Sequence, residues 1–369
     1  MMMAKVVPMI SSPMTRRELL ALLTAAGATA CVASPLALAN EARRCFGPRN
    51  FAVNMHNSGA GSYDHEISRV LEAGDAIYGW RIGPGQAMDE STKEMRITEH
   101  DPLMDFLFQR YGQRRVLVGI TDWDDNAKPT VQHMLDLTVQ TLDKYPMLTE
   151  FEFGNEPLNF DNTTPAEYVW KYTMPVREYL DDVNARRAET GQAPVKLWCA
   201  PWHGTKRGIV QTQQMLQQEI SCMIATKRQR PIYDGLCVNA YGSDTLSKIS
   251  QYISMDRFGR PIKVTETGVD DFSKHVFWID DVMVRAQQML DDRARRILGD
   301  AFSYDHPFVQ DQWVTLYDFS DDREYALLNT DPITNQLVPT SEAWSRILER
   351  DKCTIEPGLQ VRRAVSRVR

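Results

Sequence analysis

The sequence predicts an α/β protein built as a single (β/α)8 TIM barrel, and three observations predict it. Eight short β-prone runs recur over about 300 residues with helical stretches between them, the count and alternation of that fold. The C-terminal ends of those runs collect polar and aromatic residues, where a barrel keeps its working groups. No Gly-rich phosphate fingerprint follows an early run, so the rival doubly wound sheet lacks its main signal.

The runs, in order, are FAVNMH (51–56), AIYGWRI (76–82), RVLVGI (115–120), EFEFG (150–154), VKLWCAP (195–201), GLCVNAYG (235–242), PIKVTETG (261–268) and QWVTLYDF (312–319). All are short and rich in β-branched, aromatic or aliphatic residues, as buried parallel strands are. Apolar residues at helical spacing mark 64–75, 131–145, 165–187, 208–224, 282–298 and 341–350 as helices. Thr164 before Pro165 is a start signal for the third of these. The chain of 369 residues exceeds the roughly 250 of a minimal barrel, leaving room for loop insertions.

The stretch FEFGNEP (151–157) then poses a chemical question. An apolar strand ends at Gly154 and presents Asn155, Glu156 and Pro157 at once, and proline cannot continue the ladder. A second glutamate, Glu266, ends the seventh run in KVTETG. In a closed barrel of eight, the ends of strands four and seven face each other across the mouth. Two convergent carboxylates are what glycosidic bond cleavage requires: one protonated to release the leaving oxygen, one ionised to attack the anomeric carbon or activate water. Mutual repulsion raises the proton affinity of one of the two.

These residues resemble clan A of the retaining glycoside hydrolases, nearest to the family 39 group and its exopolysaccharide-hydrolase relatives, over roughly residues 50–350. The resemblance implies that Glu156 is the acid/base, Glu266 the nucleophile, and that Asn155 holds the sugar 2-hydroxyl. It implies further that Arg81 lies near the nucleophile and that Tyr241, in NAYG, hydrogen-bonds it. Members of the clan often carry a histidine two residues before that tyrosine, where this chain has Asn239. The aromatic floor of the sugar site falls to Tyr317 or Phe319. Trp202 and His203 follow the fifth run, where a ring could stack on a sugar face or cap the loop.

The expected activity is a retaining β-glycosidase acting by double displacement on an extracytoplasmic oligo- or polysaccharide. Two alternatives stay open: a non-catalytic glycan-binding barrel, and a transglycosylase using the same pair. No metal or organic cofactor is called for. Asp122, Asp124 and Asp125 around Trp123 lack the glycine and downstream glutamate of a calcium loop, and His65-Glu66 lacks the second histidine of a zinc site.

The first 39 residues read separately. Arg16 and Arg17, an Ala/Leu-rich apolar stretch and Ala37-Leu38-Ala39 make a signal peptide with a twin-arginine-like start, predicting a periplasmic or secreted protein. Cys31 is a weaker candidate for lipidation. The stretch is too short and too Ala/Thr-rich for a membrane span. Residues 40–350 are assigned to the barrel, and 351–369 to a basic C-terminal tail. Cys45, Cys199, Cys222, Cys237 and Cys353 would remain after cleavage, an odd set without a CxxC and no disulfide framework. A net charge of −7 argues against nucleic-acid binding.

Overall fold

The computed structural model describes residues 46–55, 64–83, 86–88, 95–97, 102–120, 129–157, 163–319, 325–331, 333–334 and 336–350. The expected signal peptide with Cys31, the tail 351–369, Cys45, Cys353, His56 and the loop holding Asp122, Trp123, Asp124 and Asp125 lie outside the described residues.

Eight strands close into a barrel: β1 Phe51–Met55, β2 Gly79–Ile82, β3 Val116–Ile120, β4 Glu150–Phe153, β5 Lys196–Cys199, β6 Gly235–Asn239, β7 Ile262–Thr267 and β8 Val314–Leu316. Each pairs in parallel with its sequence neighbours, and β8 returns to β1. All eight fall within the runs read from the sequence. The wall is buried on both faces, so its strands read as nearly continuous apolar runs.

The helices that cover the wall are α1 Asp64–Ala73, α2 Pro102–Tyr111, α3 Val131–Lys144, α4 (Pro165–Glu167 continuing through a π-turn at Tyr168–Thr173 into Met174–Glu189), α5 Lys206–Thr226, α6 Thr245–Met255, α7 (Val284–Leu298, led in by Trp278–Met283) and α8 Ala343–Arg350. Thr130 caps α3 by accepting from the backbone N–H of His133 at 3.1 Å. Thr164 and Glu167 close a reciprocal capping box at α4, with Pro165 at the first helical position. Two antiparallel ribbons, Gln86–Met88 with Met95–Ile97 and Leu328–Thr330 with Leu337–Pro339, are insertions outside the barrel.

Helices α2 and α6 are absent from the periodicity reading. In α6 the buried stripe is Thr245, Lys248, Ile249 and Tyr252, so polar and β-branched residues dilute the apolar signal. In α2 the stripe is legible (Leu103, Met104, Leu107, Phe108, Tyr111), but it lies in the long connection between β2 and β3, behind the first ribbon.

Period-2 alternation sends one face of each strand inward. Ala52, Leu117, Trp198, Cys237 and Trp313 form a small apolar cluster inside the barrel. A much larger cluster fills the space between wall and helices. Polar residues also point inward, at two levels. Near the N-terminal end Lys263 donates to Glu150 at 2.8 Å, and its ammonium lies 4.1 Å from the Trp198 ring centroid and 4.0 Å from that of Trp313. Above them, toward the C-terminal mouth, begins the candidate site.

Candidate active site

The mouth is built from strand ends, and two backbone irregularities aim its carboxyls. Along β7 the pairing with β6 runs Val238↔Val264 and then Asn239↔Glu266, skipping Thr265. The pairing with β8 skips likewise, from Val314↔Val264 to Leu316↔Thr267. This is a β-bulge: two residues of β7 oppose one neighbour. Regular alternation from Lys263 and Thr265 would send Glu266 outward into the helix layer. The bulge turns it inward beside Thr265. At β4, Gly154 (φ 92°) and Glu156 (φ 43°) both adopt positive φ. For Glu156 this is strained backbone, held by its N–H on the Pro201 carbonyl at 3.0 Å.

Arg81, from β2, is the centre of the network. Its Nε and Nη2 donate to the two oxygens of Glu152 at 2.9 and 2.6 Å, and its Nη1 donates to Glu266 Oε1 at 2.7 Å. Nη2 also reaches Asn155 Oδ1 at 3.0 Å. Burial disfavours the guanidinium charge, but Glu152 and Glu266 outweigh it and raise the Arg81 pKa further. On its other oxygen Glu266 accepts from the Tyr241 hydroxyl at 2.8 Å and from Asn239 Nδ2 at 2.9 Å. Three donors on one carboxyl suit its ionised form.

Glu156 sits differently. Asn239 Nδ2 donates to its Oε1 at 2.8 Å, so one amide bridges the two glutamates. Laid end to end, those two bonds cap the separation of the bridged oxygens at about 5.7 Å. Two N–H bonds on one sp² nitrogen diverge by about 120°, which sets the oxygens about 5 Å apart. Burial first, and the charge of Glu266 second, push the Glu156 pKa up to about 7. Repulsion thus acts as expected from the sequence, but desolvation is the larger cause.

The aromatic residues divide. Tyr241, Tyr317 and Tyr325 meet edge to face beside Glu266, with centroids 5.9–6.1 Å apart. Gly204 and Gly268 make this possible: a Cβ on Gly204 would stand 2.4 Å from the Tyr241 ring, and one on Gly268 2.8 Å from the Tyr317 carbonyl. Phe319 is fully buried between Trp80 and Trp344, so of the two candidates for the floor only Tyr317 lines the mouth.

Trp202 departs from the expected sugar-stacking position. It is 1% exposed, edge-on to Tyr168, with its N–H on Met215 Sδ at 3.3 Å. The cause lies in the π-turn of α4. Tyr168 there donates to the Phe153 carbonyl at 2.6 Å and accepts from the Ala200 N–H at 2.7 Å, tying the ends of β4 and β5 together. Trp202 packs edge-on against the Tyr168 ring of that clamp. His203 is half-buried at the rim, its pKa lowered by burial and by Arg207 and Lys248.

Glu152, Asn239 and Thr265 were not among the site residues expected from the sequence. Glu152 had a signal: in EFEF the glutamates alternate with Phe151 and Phe153, so both face the barrel interior and each needs a buried cation. Asn239 had none except its place two residues before Tyr241. Among the described residues, no group of three His, Cys, Asp or Glu is placed to hold a metal, and no helix is long and apolar enough to cross a membrane.

No family model matches the chain, and no curated protein matches it. Solved structures similar to it include ScGas2 in complex with compound 11, at 13% identity and a TM-score of 0.48, with 87% of this chain and 68% of that one covered. Another is Saccharomyces cerevisiae Gas2p in complex with laminaripentaose, at 13% identity and a TM-score of 0.45, covering 86% and 67%. Likeness at this level adds nothing to the barrel, which stands on its own strand pairing: the chain is a closed (β/α)8 barrel with two glutamates joined across its mouth.

Proposed function

We propose that the protein is a retaining glycoside hydrolase cleaving β-glycosidic bonds by double displacement, with Glu266 as nucleophile and Glu156 as acid/base. One observation carries the reading: two carboxyls bridged by a single amide, one buried and ringed by three donors and the other half-buried with its pKa up to about 7. Retention needs carboxyls about 5–5.5 Å apart, and inversion about 6.5–9.5 Å to admit a water. The bridge, with its two oxygens about 5 Å apart, supports the first.

In the first step a Glu266 oxygen attacks the anomeric carbon, and the Glu156 proton passes to the departing oxygen as the C–O bond breaks. Water then gives its proton to Glu156 and its oxygen to the anomeric carbon, releasing Glu266. Asn155, its Oδ1 held by Arg81, would present its amide N–H to the sugar 2-hydroxyl. Tyr317 would line the sugar site, with His203 at its rim. On motif residues alone we place the chain nearest the family 39 group of clan A. The sequence of residues 1–39 supports an extracytoplasmic oligo- or polysaccharide substrate.

Intact-protein mass spectrometry after incubation with a panel of 2-deoxy-2-fluoro glycosyl fluorides tests this directly. The expected result is one added glycosyl mass on the peptide holding Glu266, absent in Glu266→Ala, with the labelling sugar naming the glycone. Oligosaccharide binding with neither labelling nor cleavage would replace the enzyme with a glycan-binding barrel.

A further inference from the structure

We propose that Glu152 is a positioning residue that acts through Arg81. It is the standing counter-ion of the guanidinium, and it lets Glu266 give up its charge to the anomeric carbon without stranding a buried cation. The inference rests on the roles given above to Glu266 and Glu156. Glu152 has no exposed surface and so touches no sugar. Its two oxygens take the Nε and Nη2 edge of the guanidinium at 2.9 and 2.6 Å, the two-pronged geometry in which arginine holds a carboxylate best. Glu266 receives one N–H from Arg81, at 2.7 Å, and its other oxygen is held by the neutral donors Tyr241 and Asn239.

This unequal sharing matters because the charges move during the reaction. In the resting site Arg81 is positive, Glu152 and Glu266 are negative, and Glu156 is protonated. When a Glu266 oxygen bonds to the anomeric carbon, its charge is consumed in the ester. Glu156 becomes charged at the same moment, as its proton leaves with the departing oxygen. In the second step a water proton neutralises Glu156, and the bond to Glu266 breaks with its electron pair returning to the carboxylate. Each of these two carboxyls is therefore charged for only part of the cycle. Arg81 never loses its proton, and Glu152 is the partner that stays charged throughout. Without it the glycosyl-enzyme would leave a guanidinium buried beside a neutral ester, and an uncompensated buried charge is costly.

Burial works against the charge on Glu152 and holds its pKa above the ordinary value, with Arg81 the main opposing influence. The Cys237 thiol, from β6, adds a weak donor to the same carboxyl. The fork also fixes the plane of the guanidinium, so that Nη1 meets Glu266 while Nη2 reaches Asn155 Oδ1 at 3.0 Å. One buried anion thus orients both the nucleophile and the amide assigned to the sugar 2-hydroxyl.

Two measurements test this. The first follows labelling of Glu266 by the 2-deoxy-2-fluoro glycosyl fluoride that traps it, and then the release of that label into buffer. In Glu152→Gln, Glu266 becomes the sole anion bonded to Arg81. Labelling should slow about 100-fold or more, while release keeps the wild-type rate or exceeds it, since release restores the missing charge. Glu152→Asp, which keeps the charge, should recover most of the labelling rate. A residue that merely shaped the site would slow both steps alike. The second measurement is thermal melting at neutral pH without substrate. Glu266→Gln imitates the neutral ester and should melt within about 2 °C of wild type, because Arg81 keeps Glu152. Glu152→Gln should melt at least about 5 °C lower or fail to fold. Equal slowing of labelling and release, unchanged labelling in Glu152→Gln, or a loss in Glu266→Gln as large as in Glu152→Gln overturns the proposal. If Glu152→Gln does not fold, Glu266→Gln decides alone, and a melting point more than about 5 °C below wild type overturns the proposal. If no sugar labels the wild type, the catalytic reading fails, and the melting comparison still decides which carboxyl is the standing partner of Arg81.

Discussion

The lower and upper halves of the barrel interior are made of the same materials and do different things. Below, one lysine meets one glutamate between two tryptophan rings, and Trp198 donates to the second oxygen of Glu150 at 3.0 Å. Charge is matched one to one and water is shut out. Above, a single guanidinium serves Glu152 and Glu266, with Glu156 nearby as a third carboxyl. Three acids on one base cannot all ionise at little cost in a buried site, so one keeps its proton to near neutral pH. Stoichiometry, more than residue type, separates a structural ion pair from a reactive site.

Altering the count in the upper half should have the largest effect. Glu266→Gln removes the attacking oxygen and should cost at least about 10⁴-fold in kcat on the aryl glycoside identified by labelling. Glu156→Gln should cost about 10²–10⁴-fold on poor leaving groups and abolish the fall in kcat/KM above pH about 7. The same substitution should stabilise the fold. A carboxyl whose folded pKa is raised adds stability below its ordinary value of 4.5, lost as pH rises toward about 7. Glu156→Gln should therefore gain on wild type across that window, by at most about 3 kcal/mol at pH 8. Urea melts at pH 5 and pH 8 would read it, and a gain that does not grow with pH would contradict the assignment.

Unbalancing the lower half should damage stability and spare chemistry. Lys263→Met leaves Glu150 buried without its cation and should cost about 3–5 kcal/mol in urea denaturation. KM and kcat of the folded fraction should stay within about twofold, since the pair's hydrogen bonds to each other and to Trp198 include none of the mouth residues. A selective fall in kcat would mean that the two halves are coupled. The smallest effect belongs to Trp202→Phe, which keeps an edge on Tyr168 and loses the N–H···S contact, about 1 kcal/mol or less. KM should not move, and a clear rise in KM would return Trp202 to the sugar site.

The eight strands and the opposition of Glu156 and Glu266 were legible because strand patterning is local and the closure of a barrel of eight follows from the count. The network around them was less so. Glu152 is visible only once both glutamates of EFEF are recognised as facing inward. Asn239 depends on the bulge, and a bulge leaves no mark in VTETG, where any register reads equally well. Trp202 was misplaced because its burial comes from a π-turn some 30 residues earlier in sequence, a feature without a local signature. Tyr317 could be chosen over Phe319 only after Trp80 and Trp344 were seen to enclose the latter.

The bulge in β7 makes the site a matter of parity. Lys263, Thr265 and Glu266 share the inner face only because one residue is uncounted in the ladder. Deleting Thr265 would iron out the bulge and leave Glu266 opposite Asn239 and still facing inward, but without the hydroxyl that holds the Asn239 amide. The two glutamates would keep their faces after such a deletion, and the amide between them would lose its anchor.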